Sequence, residues 1–225
     1  MDRQNQHALV VFSGGMDSST ALWWALREFR AVSAVSFSYG AKHNARELAA
    51  AETICRKLAV PRVEIPLDFI GRYFHSSLLK SGGAIPEGAY NESNMASTVV
   101  PFRTGIMLAA AAGLAEDSGC SAVILGNHSG DHAIYPDCRP EFIDGMAQAI
   151  EAGTGGKVKL LSPFCRMTKG QIAALGAELG VDYSLTHSCY NPNPDGRPCG
   201  HCDSCGLRSA AFAELGMTDP ALTRK

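Results

Sequence analysis

The sequence predicts an α/β fold in which a doubly wound, mostly parallel sheet is covered by helices on both faces and followed by a small C-terminal zinc-binding segment. Three observations lead to this prediction. Short apolar runs alternate with helix-length segments between residues 8 and 179, and such alternation is typical of parallel βαβ units. A glycine turn joins the first apolar run to the first helical segment. Four cysteines lie in one irregular stretch near the C-terminus.

Five apolar runs are candidate strands, and five longer segments are candidate helices. The predicted strands cover residues 8–12, 32–39, 62–67, 121–126 and 158–161. The predicted helices cover residues 18–29, 44–58, 104–117, 140–152 and 169–179, with a short terminal helix at 207–215. Ligands of parallel sheets collect at the carboxyl ends of the strands, so we expect a site just beyond residue 12.

Two segments interrupt the alternation. Residues 69–100 contain Ser-Gly-Gly and Pro-Glu-Gly turns with little periodicity, and a loop of that length in a compact domain is usually functional or mobile. Beyond residue 182 the chain is rich in turns. We therefore predict a nucleotide-binding domain over residues 1–181 and a four-cysteine segment with a terminal helix over residues 182–225.

Composition limits the classes of protein to which the chain can belong. Its 225 residues are 46% hydrophobic, as expected of one globular domain with an appendage. A net charge of −2 argues against a broad nucleic-acid-binding surface. The N-terminus is polar, and no run reaches the roughly 20 apolar residues that a membrane span needs. We expect a cytoplasmic protein whose eight cysteines are not a disulfide framework.

The glycine turn has the chemistry of a phosphate site. Residues 13–20 read Ser-Gly-Gly-Met-Asp-Ser-Ser-Thr. Glycines let backbone N–H groups approach an oxyanion, and the following helix N-terminus adds a partial positive charge. The turn lacks both the lysine of a Walker A loop and the glycine spacing of a dinucleotide site. The alternative is an ordinary strand–turn–helix connection whose hydroxyls only cap the helix.

The cysteine-rich stretch predicts a structural zinc site. Cys189, Cys199, Cys202 and Cys205 lie among proline, glycine and asparagine residues, which cannot supply a hydrophobic core. Four thiolates suit one tetrahedral zinc ion per chain and leave no open position for catalysis.

Other uses of the cysteine-rich stretch stay open. His187 or His201 could replace a thiolate, and four cysteines can also hold an iron–sulfur cluster. A redox disulfide between Cys202 and Cys205 would leave the other two cysteines without a role. The remaining cysteines of the chain behave as small buried hydrophobic residues in our interpretation: Cys55, Cys120, Cys138 and Cys165.

The pattern Ser-Gly-Gly-x-Asp-Ser resembles that of the PP-loop pyrophosphatases, which have a Rossmann-like fold of the adenine nucleotide α-hydrolase type. We call residues 13–20 the PP-loop. The resemblance implies that this loop holds the β,γ-pyrophosphate of ATP while ATP, with Mg²⁺, adenylates a substrate. The predicted ATP-binding residues are Phe12, Ser13, Gly14, Gly15, Met16, Asp17, Ser18, Ser19, Thr20, Ala21 and Leu22.

Three further segments narrow the resemblance. Residues 123–131 read Val-Ile-Leu-Gly-Asn-His-Ser-Gly-Asp, residues 135–142 read Tyr-Pro-Asp-Cys-Arg-Pro-Glu-Phe, and Val-Pro-Phe-Arg at 100–103 opens a helix. With the PP-loop and the cysteine pattern, they resemble the QueC family of 7-cyano-7-deazaguanine synthases from about residue 8 to residue 212. That resemblance implies a C–N ligase. ATP would adenylate the carboxylate of 7-carboxy-7-deazaguanine, ammonia would displace AMP to give an amide, and a second adenylation would yield the nitrile.

Three charged residues are the predicted catalytic groups. Asp17 either fixes the PP-loop by accepting backbone N–H groups or takes a metal-linked role. Arg103 has a planar fork that suits the α-phosphate or the substrate carboxylate. Lys169 lies at a predicted helix start, where the helix dipole does not favour a cation, and is therefore a candidate phosphate contact. A solvated surface position is the alternative for Arg103 and Lys169.

The predicted substrate-binding residues are Gly126, Asp131, Tyr135 and Asp137. The two carboxylates could accept from the amino group and ring N–H of a guanine-like base, and the tyrosine could stack on it. The alternatives are helix capping for the aspartates and core packing for the tyrosine. No catalytic role is assigned to His43, His75, His128 or His132. Thr104 departs from the family pattern, which has asparagine there, so the product could be the nitrile or the amide.

Two competing interpretations remain. Another PP-loop enzyme, a tRNA thiolase or an amide-forming synthetase, would share the nucleotide site. A zinc-ribbon nucleic-acid-binding protein would share only the cysteines, and the acidic balance of the chain argues against it. The family resemblance implies a homodimer that acts on a small molecule and not on nucleic acid. We expect free ammonia or a separate donor.

Overall fold

A computed structural model of the chain describes residues 3–86, 95–131 and 135–222. The strands are β1 (His7–Val11), β2 (Ala31–Ser38), β3 (Arg62–Pro66), β4 (Ala122–Ile124) and β5 (Lys159–Leu161). The helices are α1 (Met16–Glu28), α2 (Asn44–Leu58), α3 (Asp68–Tyr73), α4 (Arg103–Asp117), α5 (Pro140–Gly153), α6 (Lys169–Glu178) and α7 (Asp203–Glu214). Short 3₁₀ turns occur at Ser129–Asp131, Pro136–Cys138 and Tyr183–Leu185.

The five strands form one parallel sheet in the order β3-β2-β1-β4-β5. The chain therefore builds outward from β1 through β2 to β3, and then returns to add β4 and β5 on the other side. This reversal makes a topological switch point between β1 and β4, where the connections that leave the two strands diverge. A crevice is expected at the carboxyl ends of these two strands.

Alternate residues of β1, β2, β4 and β5 pack into separate cores on the two faces of the sheet. Ala8 and Val10 pack with α1, α2 and α6 on one face. Leu9 and Val123 pack with α3, α4 and α5 on the other. The fold prediction of a doubly wound parallel sheet is therefore confirmed. All five predicted strands and six predicted helices are present, with ends displaced by a few residues.

Two helical features differ from the sequence prediction. The segment predicted as a loop from residue 69 begins inside the short helix α3, in which only Ile70 is buried. The terminal helix begins at Asp203, four residues before the predicted start, with Cys202 as its N-cap. The predicted long loop also includes residues 87–94, which lie outside the described residues.

The C-terminal helix packs directly on the α/β unit. Phe212 is fully buried in a cluster with Met16 of α1 and Ala173 of α6. The proposed division of the chain at residue 181 stays a prediction. Among the described residues, no helix is both long enough and apolar enough to cross a membrane.

Candidate active site

A cleft of about 240 Å³ opens at the switch point, beyond the carboxyl ends of β1, β2 and β4. Its walls bring together segments that are far apart in sequence: the PP-loop, the first turns of α1 and α4, one side of α2, and the start of the cysteine-rich stretch. Residues that contribute polar or charged groups to the cleft include Ser13, Asp17, Tyr39, His43, Glu47, Arg103, His128, Lys169 and Ser188.

Glycine is required at two places where backbones meet around the cleft. Gly14 has φ +81°, and a Cβ added there would lie 2.6 Å from the carbonyl oxygen of Glu47. A Cβ on Gly126, just after β4, would lie 2.9 Å from the carbonyl oxygen of Asp17. Any larger residue at these positions would push the PP-loop away from α2, or β4 away from α1.

The PP-loop residues that the sequence predicted to bind ATP fall into two groups. Phe12, Ser13, Gly15, Met16, Asp17 and Ser18 line the cleft. Ser19, Thr20, Ala21 and Leu22 are buried within α1, and Gly14 is buried against α2. The Thr20 hydroxyl already bonds the Tyr183 hydroxyl at 2.8 Å, and the buried Ser19 Oγ has no hydrogen-bond partner among the described residues.

Asp17, Lys169 and His128 form a compact polar cluster beside the PP-loop. Lys169 Nζ donates to Asp17 Oδ2 at 2.8 Å and lies 3.2 Å from His128 Nε2. Burial opposes ionisation of Asp17, but the charge and hydrogen bond of Lys169, with His128 nearby, outweigh it and lower the pKa of this carboxyl. Asp17 is therefore a carboxylate at neutral pH. Its other oxygen, Oδ1, is buried without a partner among the described residues.

The opposite wall carries a second cation, Arg103, at the first residue of α4. Its Nη1 donates to the Tyr39 hydroxyl at 3.3 Å, and its guanidinium lies 5.8 Å from the centre of the Tyr39 ring. Tyr39 follows β2 directly. Within the part of the chain that the structure describes, this is the one hydrogen bond of the guanidinium, so most of its five donors could face an anion.

Two titratable groups of the same wall are neutral at pH 7. Burial, with Arg103 and His187 nearby, lowers the pKa of His43 to about 3. Burial raises the pKa of Glu47 to about 8, although Arg103 opposes this shift. His43 Nε2 lies 3.6 Å from Glu47 Oε2, but because neither group is charged, the contact is not an ion pair.

The predicted substrate-binding residues are placed differently from one another. Gly126 and Tyr135 line the cleft, and the Tyr135 hydroxyl bonds Thr98 Oγ1 at 3.0 Å. Asp137 is buried, and its Oδ2 accepts from the N–H of Thr104 at 2.7 Å, at the start of α4. Asp131 ends a 3₁₀ turn, and its side chain lies outside what the structure describes.

The four cysteines of the C-terminal stretch converge. Their sulfur atoms all lie within 4.8 Å of one another, with Cys189 Sγ 3.5 Å from Cys199 Sγ and 3.9 Å from Cys202 Sγ. Sulfurs at the vertices of a tetrahedral site, each about 2.3 Å from zinc, are about 3.8 Å apart. Hydrogen bonds from the Cys189 and Cys205 thiols lower the pKa of Cys202. The cluster can therefore hold a metal ion.

Several residues of the cleft were not identified from the sequence. His43 and His128 received no catalytic role, yet both line the cleft, as do Tyr39 and Glu47. Tyr39 and His128 lie just beyond β2 and β4, so the rule that ligands bind at the carboxyl ends of strands could have identified them. Glu47 lies within α2, and no comparable rule predicts from the sequence that it lines the cleft. His132 lies outside the described residues.

Comparisons with known proteins agree on one family. The sequence profile described as "Queuosine biosynthesis protein QueC" matches residues 7–216. A 7-cyano-7-deazaguanine synthase of Porphyromonas gingivalis is 51% identical over 220 residues, which are 97% of this chain and 97% of that protein. The corresponding protein of Desulfotalea psychrophila is 50% identical over 205 residues, which are 91% of this chain and 93% of the relative.

One solved structure supports the fold independently. The U34-tRNA thiolase NcsA from Methanococcus maripaludis, determined with its 4Fe–4S cluster, superposes with a TM-score of 0.53. The match covers 86% of this chain and 62% of the thiolase at 15% sequence identity. At this level of identity the likeness concerns the fold alone.

Proposed function

The chain belongs to the QueC family of queuosine biosynthesis proteins, and from this premise we infer that it is a 7-cyano-7-deazaguanine synthase. It converts 7-carboxy-7-deazaguanine and ammonia into 7-cyano-7-deazaguanine, with ATP cleaved to AMP and pyrophosphate. The observation that carries this proposal is one cleft in which the PP-loop, Lys169 and Arg103 all face the same space. An anion-binding loop and two cations can hold the phosphates of ATP and stabilise the charge that develops when a carboxylate is activated.

The first step activates the acid. A carboxylate oxygen of the substrate attacks the α-phosphorus of ATP, the bond from that phosphorus to the bridging β-oxygen breaks, and pyrophosphate leaves. An oxygen of a carboxylate is a poor leaving group until it is attached to a phosphate. The task of the protein is therefore to position the reactants and to stabilise the developing negative charge.

Different residues of the cleft hold different parts of the reacting molecules. The PP-loop and Lys169 hold the β,γ-pyrophosphate, since Lys169 Nζ lies 2.8 Å from Asp17 at the start of α1. Arg103, on the wall formed by α4 and Tyr39, takes the α-phosphate or the substrate carboxylate. Its bidentate fork keeps the attacking oxygen and the phosphorus in line.

Two further steps form the nitrile. Ammonia attacks the carbonyl carbon of the acyl adenylate, a proton leaves the nitrogen, and AMP departs to give the amide. The amide oxygen then attacks the α-phosphorus of a second ATP and releases pyrophosphate. Loss of both N–H protons and departure of AMP leave the carbon–nitrogen triple bond. The same PP-loop serves both activations.

Asp17 is suited to a magnesium ion. Its Oδ1 is buried without a partner among the described residues, and the carboxyl has a lowered pKa. Carboxylate and phosphate oxygens are ligands that Mg²⁺ prefers. Bound there, Mg²⁺ would neutralise charge on the pyrophosphate. Because Lys169 donates a hydrogen bond to Oδ2, Oδ1 is the oxygen that could bind the metal ion.

The metal of the cysteine cluster is zinc in our proposal, one ion per chain. All four ligands are cysteines, their spacing fits tetrahedral coordination, and no fifth protein group is needed. The ion has a structural role, because four thiolates leave no position for water or substrate. A homodimer in the cytoplasm, without a nucleic-acid or membrane partner, also belongs to this proposal.

The deazaguanine ring would lie against Tyr135 and Gly126, with Asp131 and Asp137 as the candidate acceptors for its amino group and ring N–H. Asp137 already accepts from Thr104 through Oδ2, so only its other oxygen would be available. Thr104 stands where the family pattern has asparagine and lines the cleft. Its hydroxyl can still donate to the bound amide.

Mass spectrometry of the base tests the proposed function. The chain is incubated with 7-carboxy-7-deazaguanine, ammonium, ATP and Mg²⁺, and the acid, amide and nitrile are separated. We expect the nitrile to accumulate, with AMP and pyrophosphate formed only when the acid is present. Accumulation of the amide alone would limit the activity to the first activation, and unchanged acid with intact ATP would overturn the proposal.

A further inference from the structure

Ser188 connects the cysteine-rich stretch with the PP-loop. It precedes the first metal-ligand candidate, Cys189, and lines the cleft. The Met16 N–H at the start of α1 donates to Ser188 Oγ at 3.3 Å, and Arg208 Nη1 donates to the same oxygen at 3.3 Å. The neighbouring backbone is fastened as well, because the His187 N–H donates to the Gly14 carbonyl at 2.9 Å.

The hydrogen bonds around Ser188 use the acceptor lone pairs of its hydroxyl oxygen but not its proton. A serine hydroxyl offers one proton and two acceptor lone pairs. Met16 N–H and the Arg208 guanidinium can only donate, so they occupy both lone pairs. The proton is therefore available for donation, and among the described residues no group accepts it. The space into which it can point is the cleft beside the PP-loop.

The guanidinium of Arg208 is itself held in one orientation by several hydrogen bonds. It is 3% exposed, and its Nε donates to both carboxylate oxygens of Asp219 at 3.0 and 2.8 Å. Nη2 donates to the Tyr183 carbonyl at 3.0 Å, and Nη1 also donates to Thr186 Oγ1 at 2.6 Å. A guanidinium with this many partners cannot rotate, so it sets the orientation of the Ser188 hydroxyl.

We propose that Ser188 is a nucleotide-binding residue that donates its hydroxyl proton to a phosphate oxygen of ATP in the PP-loop, and that Arg208 is the positioning residue that orients it. This inference rests on the proposed function, since it places ATP in the cleft. It gives the cysteine-rich stretch a direct part in ATP binding in addition to its structural role. The cysteine-rich stretch would place Ser188 beside the PP-loop, as α6 places Lys169 beside it.

Calorimetric titration with Mg·ATP, and separately with inorganic pyrophosphate, tests the inference without any deazaguanine. We expect Ser188→Ala to bind Mg·ATP about tenfold or more weakly, because a hydrogen bond to a charged group is lost. Ser188→Thr keeps a hydroxyl and should restore binding. Ser184→Ala is the matched control, because its hydroxyl donates to Asp182 at 2.6 Å, outside the cleft. Metal content is measured for every variant.

Arg208→Lys gives a second test of the positioning role. Lysine keeps the positive charge but lacks the fork that reaches Ser188 and Asp219 together, so the affinity for Mg·ATP should fall in this variant too. Combining it with Ser188→Ala should weaken binding little further, since both substitutions remove the same contact.

Two results would overturn the inference. One is Ser188→Ala protein that retains its metal and binds Mg·ATP as tightly as the unaltered chain. The other is loss of metal and ATP binding together, without rescue by Ser188→Thr, which would show a purely structural role. Neither result bears on the identity of the base substrate. Conversely, a chain that binds Mg·ATP through Ser188 but leaves the acid unchanged would refute the proposed function alone.

Discussion

Replacing Glu47 with glutamine should remove the contribution of this carboxyl to the pH dependence of stability between pH 5 and pH 8. Burial raises the pKa of this carboxyl from 4.5 to about 8. In that interval the unfolded chain releases the proton while the folded chain retains it. The contribution of Glu47 to stability is therefore fully present below pH 4.5 and is lost as the pH rises through about 8. Glutamine has no proton to release and should lack this dependence.

The size of the effect follows from the pKa difference and the exposure of the side chain. At about 1.4 kcal/mol per pKa unit, a rise from 4.5 to about 8 corresponds to roughly 5 kcal/mol. The Glu47 side chain remains 16% exposed to the cleft, and solvent screens part of that penalty. We therefore expect the unaltered chain to lose roughly 2–3 kcal/mol relative to Glu47→Gln between pH 5 and pH 8.

Urea unfolding at the two pH values measures this difference. Glu52→Gln is the matched control, because Glu52 lies on the same helix α2 with its side chain 55% exposed. All three proteins keep the same four clustered cysteines, so any pH dependence that these thiols contribute cancels in the comparison. Glu52→Gln should follow the unaltered chain. An unchanged pH dependence in Glu47→Gln would show that the buried carboxyl does not hold its proton and would refute this reasoning.

The remaining predictions concern the proposed catalytic role of Lys169 and the proposed zinc site. Lys169→Met should lower kcat/KM for pyrophosphate release about 10²–10³-fold, because a preorganised charge on the pyrophosphate is lost. Lys57→Met, which removes an exposed lysine paired with Asp182, should leave that rate unchanged, and an equal loss in both would contradict the assignment. Cys202→Ser should lose bound zinc and melt at a lower temperature, since ligation and folding are linked. Elemental analysis against Cys165→Ser checks this result, and zinc retained at full occupancy in Cys202→Ser would exclude the site.

The arrangement of strands and helices was predictable because each has a clear periodicity. β1 is a short apolar run before a glycine turn, and α2 combines good propensity with a consistent buried face. The helix α3 was missed because it is six residues long, contains Gly71 and buries only Ile70. A segment with one buried residue has no amphipathic pattern to detect.

The site was predictable only in part, for a physical reason. The PP-loop residues are contiguous and have their own chemistry, so the sequence alone predicts that they act together. Glu47 and Ser188 reach the cleft from a helix and from an irregular segment, and only the packing of these segments beside the sheet brings them to the PP-loop. The buried pair of Arg208 and Asp219 is likewise invisible in the sequence, where both look like ordinary surface charges.

The ratio of AMP to nitrile tests the central claim most directly. The chain is supplied with limiting 7-carboxy-7-deazaguanine, excess ammonium and Mg·ATP, and both products are quantified at completion. Two activations by one PP-loop predict two AMP per nitrile from the acid, and one AMP per nitrile when the amide is supplied instead. A ratio of one from the acid, or conversion of the amide without AMP, would contradict the account.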